Sequence, residues 1–157
     1  MTLTHLDPEG RPRMVDVSAK AITRRRAVAA GYLSLSEECA LALEGGAGPK
    51  GDPWSTARIG AIGGAKRTGE LIPLAHPLVL DAVQVDHHWD AVMRRAWMRV
   101  EVSVEGRTGV EMEALTGVSV ALLTVWDMVK SAEKDASGQY PVTRIDAIRV
   151  VEKKKGK

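Results

Sequence analysis

The sequence has 157 residues, of which 45% are hydrophobic and 27% charged, and these proportions favour one soluble globular domain with a substantial core. Aromatic residues amount to only 4%, so we expect an aliphatic core, and the net charge of +2 argues against a surface devoted to nucleic acid while leaving room for a local basic pocket. The single cysteine excludes an internal disulfide framework and a thiolate zinc cluster. Together with a polar N-terminus and no apolar stretch long enough to span a bilayer, it predicts a cytoplasmic protein.

The chain begins with a polar segment, residues 1–13, that predicts a flexible arm before a single domain over residues 14–152. Residues 14–18, MVDVS, alternate apolar and polar side chains and predict a short strand. A short helix is expected to start after a Ser36 cap and to end at the glycine pair 45–46.

A second helix is predicted from Pro53 to about residue 69, because Asp52 is a good N-cap and proline suits the first helical position. Three glycines weaken this helix in isolation, so they indicate close approach by another element or by a ligand; they are Gly60, Gly63 and Gly64.

The second half of the chain predicts a hairpin, a long helix and a last strand. The hairpin strands lie within residues 79–90 and 91–106, the helix begins near Leu115 or Thr116 and runs to about residue 134, and the strand covers residues 143–153 before a basic tail, residues 153–157. This order predicts an α+β fold close to the ferredoxin-like pattern, with a mostly antiparallel sheet and helices packed on one face.

Two basic segments are candidate anion sites. The first contains Lys20, Thr23 and the arginines 24–26, which are either a solvated helix face or a phosphate clamp. The second is Lys50 beside Gly51, just before a predicted helix N-terminus; this pattern fits an anion site as well as it fits an ordinary glycine loop with a surface lysine.

Two further pairs could carry acid–base chemistry. Glu111 and Glu113 would point to one side of an extended chain, where they could exchange protons, bind a metal or hold a heterocycle, or could simply lie on the surface at a strand end. Asp127 and Lys130 share a face of the predicted helix, as a plain ion pair or as a coupled acid and base.

His76 lies in an apolar run between Pro73 and Pro77. A lone histidine in such a run is more often a satisfied core residue than a catalyst. The two prolines fit neither a helix interior nor a central strand, so they predict a rigid irregular passage that presents the ring at a fixed angle.

These stretches together resemble the MoaC family, the cyclic pyranopterin monophosphate synthases of molybdenum cofactor biosynthesis. The matching segments are MVDVSAK with ITRRRAVA, KGDPWSTARIGAIGGAKRTGELIPLAHPL, and GVEMEALTGVSVALLTVWDMVK. The resemblance implies a lyase that converts 3',8-cyclo-7,8-dihydroguanosine 5'-triphosphate, supplied by a radical SAM GTP cyclase, to cyclic pyranopterin monophosphate and pyrophosphate. It also implies a homohexamer, a trimer of dimers with active sites at subunit interfaces, and no required cofactor, although magnesium could accompany the triphosphate.

The resemblance assigns the catalytic roles to Asp127 and Lys130. It assigns substrate contacts to a larger set, namely Leu74, Ala75, His76, Glu111, Met112, Glu113, Lys20, Arg25, Lys50 and Lys153. The chain departs from the family pattern at Ala75, where cysteine is common, at Trp126, where tyrosine is common, and in its lysine-rich tail. A thiol at position 75 is therefore not essential.

Two other functions fit parts of the sequence. A ferredoxin-like RNA-binding module would need more aromatic stacking residues and more positive charge than this chain has. A metal-dependent phosphohydrolase could use Glu111, Glu113 and His76 as ligands.

Overall fold

The computed structural model describes residues 5–44 and 48–156. Its strands are β1 (Thr23–Ser34), β2 (Ala82–Asp90), β3 (Arg95–Gly106) and β4 (Arg144–Lys155), and its helices are α1 (Glu37–Glu44), α2 (Pro53–Lys66), α3 (Thr68–Leu71) and α4 (Glu111–Val129). The first four residues of the predicted arm, the glycine pair expected to end the first helix, and the last lysine of the tail lie outside the described residues.

The four strands form one sheet in the order β2-β3-β1-β4, and every neighbouring pair is antiparallel. The chain order βαββαβ, counting α1 to α3 as one helical connection, combined with this strand order is the ferredoxin-like arrangement, so the predicted fold is confirmed. The edge strand β4 bulges at two points where it pairs with β1.

The core lies between one face of the sheet and the helices. Strand β3 alternates strictly along its length, with fully or nearly fully buried aliphatic side chains at Ala96, Met98, Val100, Val102 and Val104. Helix α4 covers β1, β3 and β4, while α2 lies beside α4 and over β2. Aliphatic residues dominate the buried cluster, as the composition predicts.

Helices α2 and α4 approach closely at glycine positions. A Cβ added to Gly60 would lie 2.7 Å from Oγ1 of Thr124, and one added to Gly64 would lie 2.7 Å from Cγ2 of Val120. These two glycines therefore serve contact with another element of the same chain, as the sequence predicts, whereas a Cβ on Gly63 would meet nothing within 4 Å.

The helix starts match the sequence signals on α1 and α2. The Ser36 hydroxyl accepts a hydrogen bond from Cys39 N–H at 3.2 Å, and the Asp52 carboxylate accepts from the N–H groups of Trp54 and Ser55 at 2.9 and 3.3 Å. Past α2, the predicted single helix breaks at Arg67 and continues as the one-turn α3.

Predictions about three other elements are wrong. Residues 14–18 form no strand, and the first strand is instead β1, which holds the arginine cluster that could have been a helix face. Helix α4 starts at Glu111, about four residues before the predicted start, and its Val110 N-cap makes no side-chain hydrogen bond that would mark the boundary. Strand β4 continues to Lys155, so most of the predicted tail is part of the sheet.

Helix α4 is long and apolar enough to cross a membrane by length and composition alone, contrary to the expectation that no stretch would be. Core helices of soluble proteins pass the same test, and α4 buries ten of its residues against the sheet and α2.

Candidate functional site

The first candidate cluster lies at the C-terminal end of α4. The carboxylate of Asp127 accepts from two lysines, with Lys130 Nζ 2.7 Å from one oxygen and Lys50 Nζ 2.8 Å from the other. Lys130 is the C-cap of α4, where the helix dipole favours a cation, and Lys50 comes from the loop before α2. The structure thus brings Lys50 together with the pair Asp127 and Lys130, which the sequence predicts in a separate motif.

These contacts favour the charged forms of both Asp127 and Lys130. The hydrogen bonds from Lys130 and then Lys50 lower the pKa of Asp127 to about 2, so Asp127 is ionised at neutral pH. The hydrogen bond to Asp127 in turn raises the pKa of Lys130 above its usual value. Within the single chain, the contact with Asp127 therefore favours the charged form of Lys130.

The sequence does not predict one neighbour of this cluster, Tyr140. The ring of Trp126 meets that of Tyr140 edge-on, with centroids 5.6 Å apart, and Tyr140 lies near enough to contribute to the raised pKa of Lys130. Tyr140 belongs to the loop after α4, and no local pattern in that loop marks it as part of a site.

The second cluster lies at the opposite end of α4. Glu111, in the first turn of the helix, accepts from Lys153 Nζ of β4 at 2.8 Å. A cavity of about 310 Å³ opens here, and its lining includes Arg25, Gly109, Glu111 and Lys153. Burial alone would raise the pKa of Glu111, but the hydrogen bond from Lys153 and the charges of Lys153 and Arg25 outweigh it, so the pKa falls below its usual value.

Glu113 points away from this cluster, so the prediction that Glu111 and Glu113 lie side by side is wrong. They are two residues apart in a helix, where such side chains do not face each other. Glu113 is 4% exposed and borders a separate cavity of about 150 Å³ with Lys66, Thr68 and Pro77. Burial, and to a smaller extent the charge of Glu111, raises the pKa of Glu113.

His76 lies in an irregular passage between α3 and β2, as the two prolines predict. Its Nε2 lies 2.8 Å from the carbonyl oxygen of Val15. A carbonyl only accepts, so Nε2 carries a proton and donates it, and Nδ1 is the ring nitrogen left to face a ligand. The segment predicted as the first strand therefore covers His76 as a loop. Leu74 and Ala75 are half-buried in the same passage.

Two predicted contacts remain at the periphery. Lys20 uses its carbonyl oxygen to accept from Arg107 Nε at 3.1 Å, and its side chain is exposed. Met112 is 41% exposed on the first turn of α4. Neither side chain makes a hydrogen bond or an ion pair with the residues that the structure describes.

The two clusters are far apart within one chain. Glu111 and Asp127 are sixteen residues apart on one continuous helix, which corresponds to about 24 Å at about 1.5 Å per residue. One nucleotide-sized ligand therefore cannot contact both ends of α4 of the same chain at hydrogen-bond distance.

A family model described as the MoaC family matches residues 14–156, which covers nearly the whole chain. The chain belongs to the MoaC family. The match includes every element from β1 to β4 and both ends of α4, so the two clusters lie within the part of the chain that defines the family.

Curated relatives of this MoaC-family chain match it almost end to end. It is 52% identical over 152 residues to a protein of Methanothermobacter thermautotrophicus named probable cyclic pyranopterin monophosphate synthase accessory protein, with 97% of this chain and 94% of the relative covered. It is 52% identical over 154 residues to a probable cyclic pyranopterin monophosphate synthase of Methanoregula boonei, with 98% and 97% covered. It is 49% identical over 156 residues to one of Archaeoglobus fulgidus, with 99% and 98% covered.

The structure also tests whether the carboxylates and histidine of this MoaC-family chain could form a metal site. Across residues 5–44 and 48–156, no group of three or more His, Cys, Asp and Glu side chains is arranged to hold a metal ion. Glu111, Glu113 and His76, the ligands of the hypothetical phosphohydrolase, therefore do not come together in one chain.

Proposed function

We propose that this protein is a cyclic pyranopterin monophosphate synthase. It converts 3',8-cyclo-7,8-dihydroguanosine 5'-triphosphate to cyclic pyranopterin monophosphate and releases pyrophosphate. Family membership over residues 14–156 and relatives bearing the synthase name support this reaction. The structural observation that carries it is Asp127 held between Lys50 and Lys130, because this arrangement combines a proton-transfer pair with a cation for the phosphate chain.

The acid–base steps are assigned to Lys130 and Asp127. Lys130 is an ammonium ion at neutral pH and donates to Asp127 at 2.7 Å, so it acts first as the general acid at the opening purine ring. Asp127 holds the ammonium in place before substrate binds. Once Lys130 has given up its proton, its neutral amine is the base for the return transfer.

The phosphate chemistry needs positive charge. A ribose-derived hydroxyl attacks the α-phosphorus, the bond from that phosphorus to the bridging oxygen of the β-phosphate breaks, and pyrophosphate leaves with its electron pair. Arg25, Lys50, Lys153 and Lys20 supply the positive charge for the triphosphate and for the transition state. These proposed steps assign no metal to the protein, and a magnesium ion that accompanied the triphosphate would be part of the substrate.

The remaining contacts hold the guanine-derived ring. Glu113 is buried beside a small cavity, so a ring N–H group can donate to it in a place where water competes weakly. His76 presents Nδ1, because Nε2 is occupied by Val15. Leu74, Ala75 and Met112 supply apolar contact, and Glu111 orients Lys153.

The active enzyme is proposed to be an oligomer with sites between subunits. The separation of about 24 Å between Glu111 and Asp127 supports this, because a neighbouring chain can place its Glu111 cluster opposite the Asp127 cluster of the first. The proposed assembly is a homohexamer, a trimer of dimers, in the cytoplasm. Its substrate comes from a radical SAM GTP cyclase.

The test is anaerobic incubation of the purified full chain with the cyclised GTP substrate, followed by assays for pyrophosphate and for the cyclic pterin. Both products should accumulate in equal amounts. If folded protein yields neither, the proposed function is wrong.

Variants test the assigned roles in the same assay. Lys130→Ala and Asp127→Asn should stay folded and oligomeric but lose at least about a hundredfold in rate, the contribution typical of a positioned acid–base group. Lys134→Ala removes an exposed lysine four residues further along and should keep full activity. Wild-type turnover in either site variant would contradict the assignment of the acid–base steps to Lys130 and Asp127.

A further inference from the structure

Strand β4 ends in three consecutive lysines whose surroundings differ. Lys153 Nζ lies 2.8 Å from Oε1 of Glu111, and Lys154 Nζ lies 2.7 Å from Oε1 of Glu152. Lys155 makes no ion pair with any residue in 5–44 or 48–156. Only one of the three ammonium groups is thus without a carboxylate in the described part of the chain.

The sheet register places Lys155 on the same side as Lys153. Successive side chains of a strand point to opposite faces, so Lys153 and Lys155 share a face and Lys154 points away. Lys155 pairs directly with Arg25 of β1, and Lys153 with Ala27. Lys155 and Arg25 both line the cavity of about 310 Å³ beside Glu111, and Arg26 and Lys154 also contribute to its lining.

This pairing is unfavourable unless an anion is present. Like charges directly opposite on neighbouring strands repel, and Glu111 is the single carboxylate among the residues that line the cavity with these cations. In addition, Nε of Arg25 is buried and has no acceptor among the described residues. A buried donor without a partner is costly, so a ligand oxygen that accepted from it would remove the penalty.

We propose that Lys155 is a phosphate-binding residue that, with Arg25, holds the terminal phosphates of the substrate, the part that leaves as pyrophosphate. This inference rests on the proposed function, because it names the position of the leaving group in that same site. The resemblance to the family assigns no role to Lys155. Its position opposite Arg25 and the absence of an ion pair in the described residues carry the inference.

Calorimetric titration of the full chain with inorganic pyrophosphate tests this directly, without turnover. Lys155→Ala should weaken binding about tenfold, the effect of one lost charge-assisted hydrogen bond. Lys134→Ala is the control, since it removes one exposed lysine that does not line this cavity, and it should change the Kd by less than about twofold. Lys155→Arg keeps the charge and should restore most of the affinity.

The result also separates this inference from the proposed function. Equal pyrophosphate affinities of Lys155→Ala and Lys134→Ala, or a wild-type chain that binds no pyrophosphate, would overturn the role of Lys155 even if the chain turned over the cyclised substrate. Selective loss of affinity in Lys155→Ala supports the pyrophosphate subsite, and does so even if turnover failed and the synthase assignment fell.

Discussion

Two adjacent glycines of α2 give a sharp test of how this helix packs on α4, the helix that carries both candidate clusters. Gly64→Ala and Gly63→Ala make the same chemical change one residue apart in the same helix. A Cβ at position 64 would meet Val120 Cγ2 at 2.7 Å, Val120 Cβ at 2.8 Å and the Thr116 carbonyl oxygen at 3.3 Å. A Cβ at position 63 would meet nothing within 4 Å.

The magnitudes follow from two opposing effects. Replacing glycine by alanine inside a helix gains about 1 kcal/mol at either position, because the unfolded chain loses freedom. At position 64 the new carbon overlaps Val120 by about 1 Å relative to ordinary carbon contacts of about 3.5–4.0 Å, and this overlap costs about 1–3 kcal/mol. Val120 cannot easily rotate away, because one contacted atom is its Cβ and its χ1 is stiff.

Urea denaturation followed by circular dichroism, at equal protein concentration, measures the difference. Gly63→Ala should raise the free energy of unfolding by up to about 1 kcal/mol, and Gly64→Ala should fall about 1–3 kcal/mol below Gly63→Ala. Helix propensity is shared by the two variants, so their difference isolates the steric contact. Equal stabilisation by both variants would show that α2 and α4 do not pack as described.

Two more predictions concern buried and titrating carboxylates. Glu133→Ala should lower the free energy of unfolding by about 3 kcal/mol. The reason is that the buried Glu133 carboxylate accepts from the N–H and hydroxyl groups of Ser36 and from the hydroxyl of Thr143. A loss below about 0.5 kcal/mol in urea denaturation would contradict this hydrogen-bond network. Asp127, with a pKa of about 2 in the folded chain against about 3.9 unfolded, stabilises the fold above about pH 4 and loses this contribution as pH falls through about 2. The stability difference between wild type and Asp127→Asn should therefore shrink over that range in acid titrations, and a constant difference would argue against the ion pairs.

Local signals in the sequence predict the elements whose boundaries depend on neighbouring residues. The pair Asp52 and Pro53 marks the start of α2 because both the cap and the fixed backbone angle act within one turn. Strict alternation marks β3 because one of its faces lies on the core and the other faces away from it. Two of the three glycines of α2, Gly60 and Gly64, are explained by close contact with α4.

Local signals do not predict strand β1, because its partner strands are distant in sequence. It pairs with β3 and β4, more than sixty residues away, and its arginines and alanines suit a helix as well as a strand. Backbone pairing with β3 and β4 on both sides places Arg26 in a strand, and its side chain forms ion pairs with Glu101 of β3 and Glu152 of β4; no sequence window around Arg26 contains these partners. The early start of α4 is not predicted for a different reason: Val110 offers no capping side chain that would mark it.

The same distinction between local and long-range contacts determines how much of the candidate site can be predicted from the sequence. Asp127 and Lys130 meet because three residues along a helix is one turn, so their contact is a local consequence of α4. Lys50 reaches Asp127 across 77 residues, and Lys153 reaches Glu111 across 42, and both contacts depend on how α2 and β4 dock. Glu111 and Asp127 lie at opposite ends of one helix, so the residue types that suggest one phosphate-binding site fall into two clusters within the chain. The proposed site between subunits would bring the Asp127 end of one chain to the Glu111 end of another.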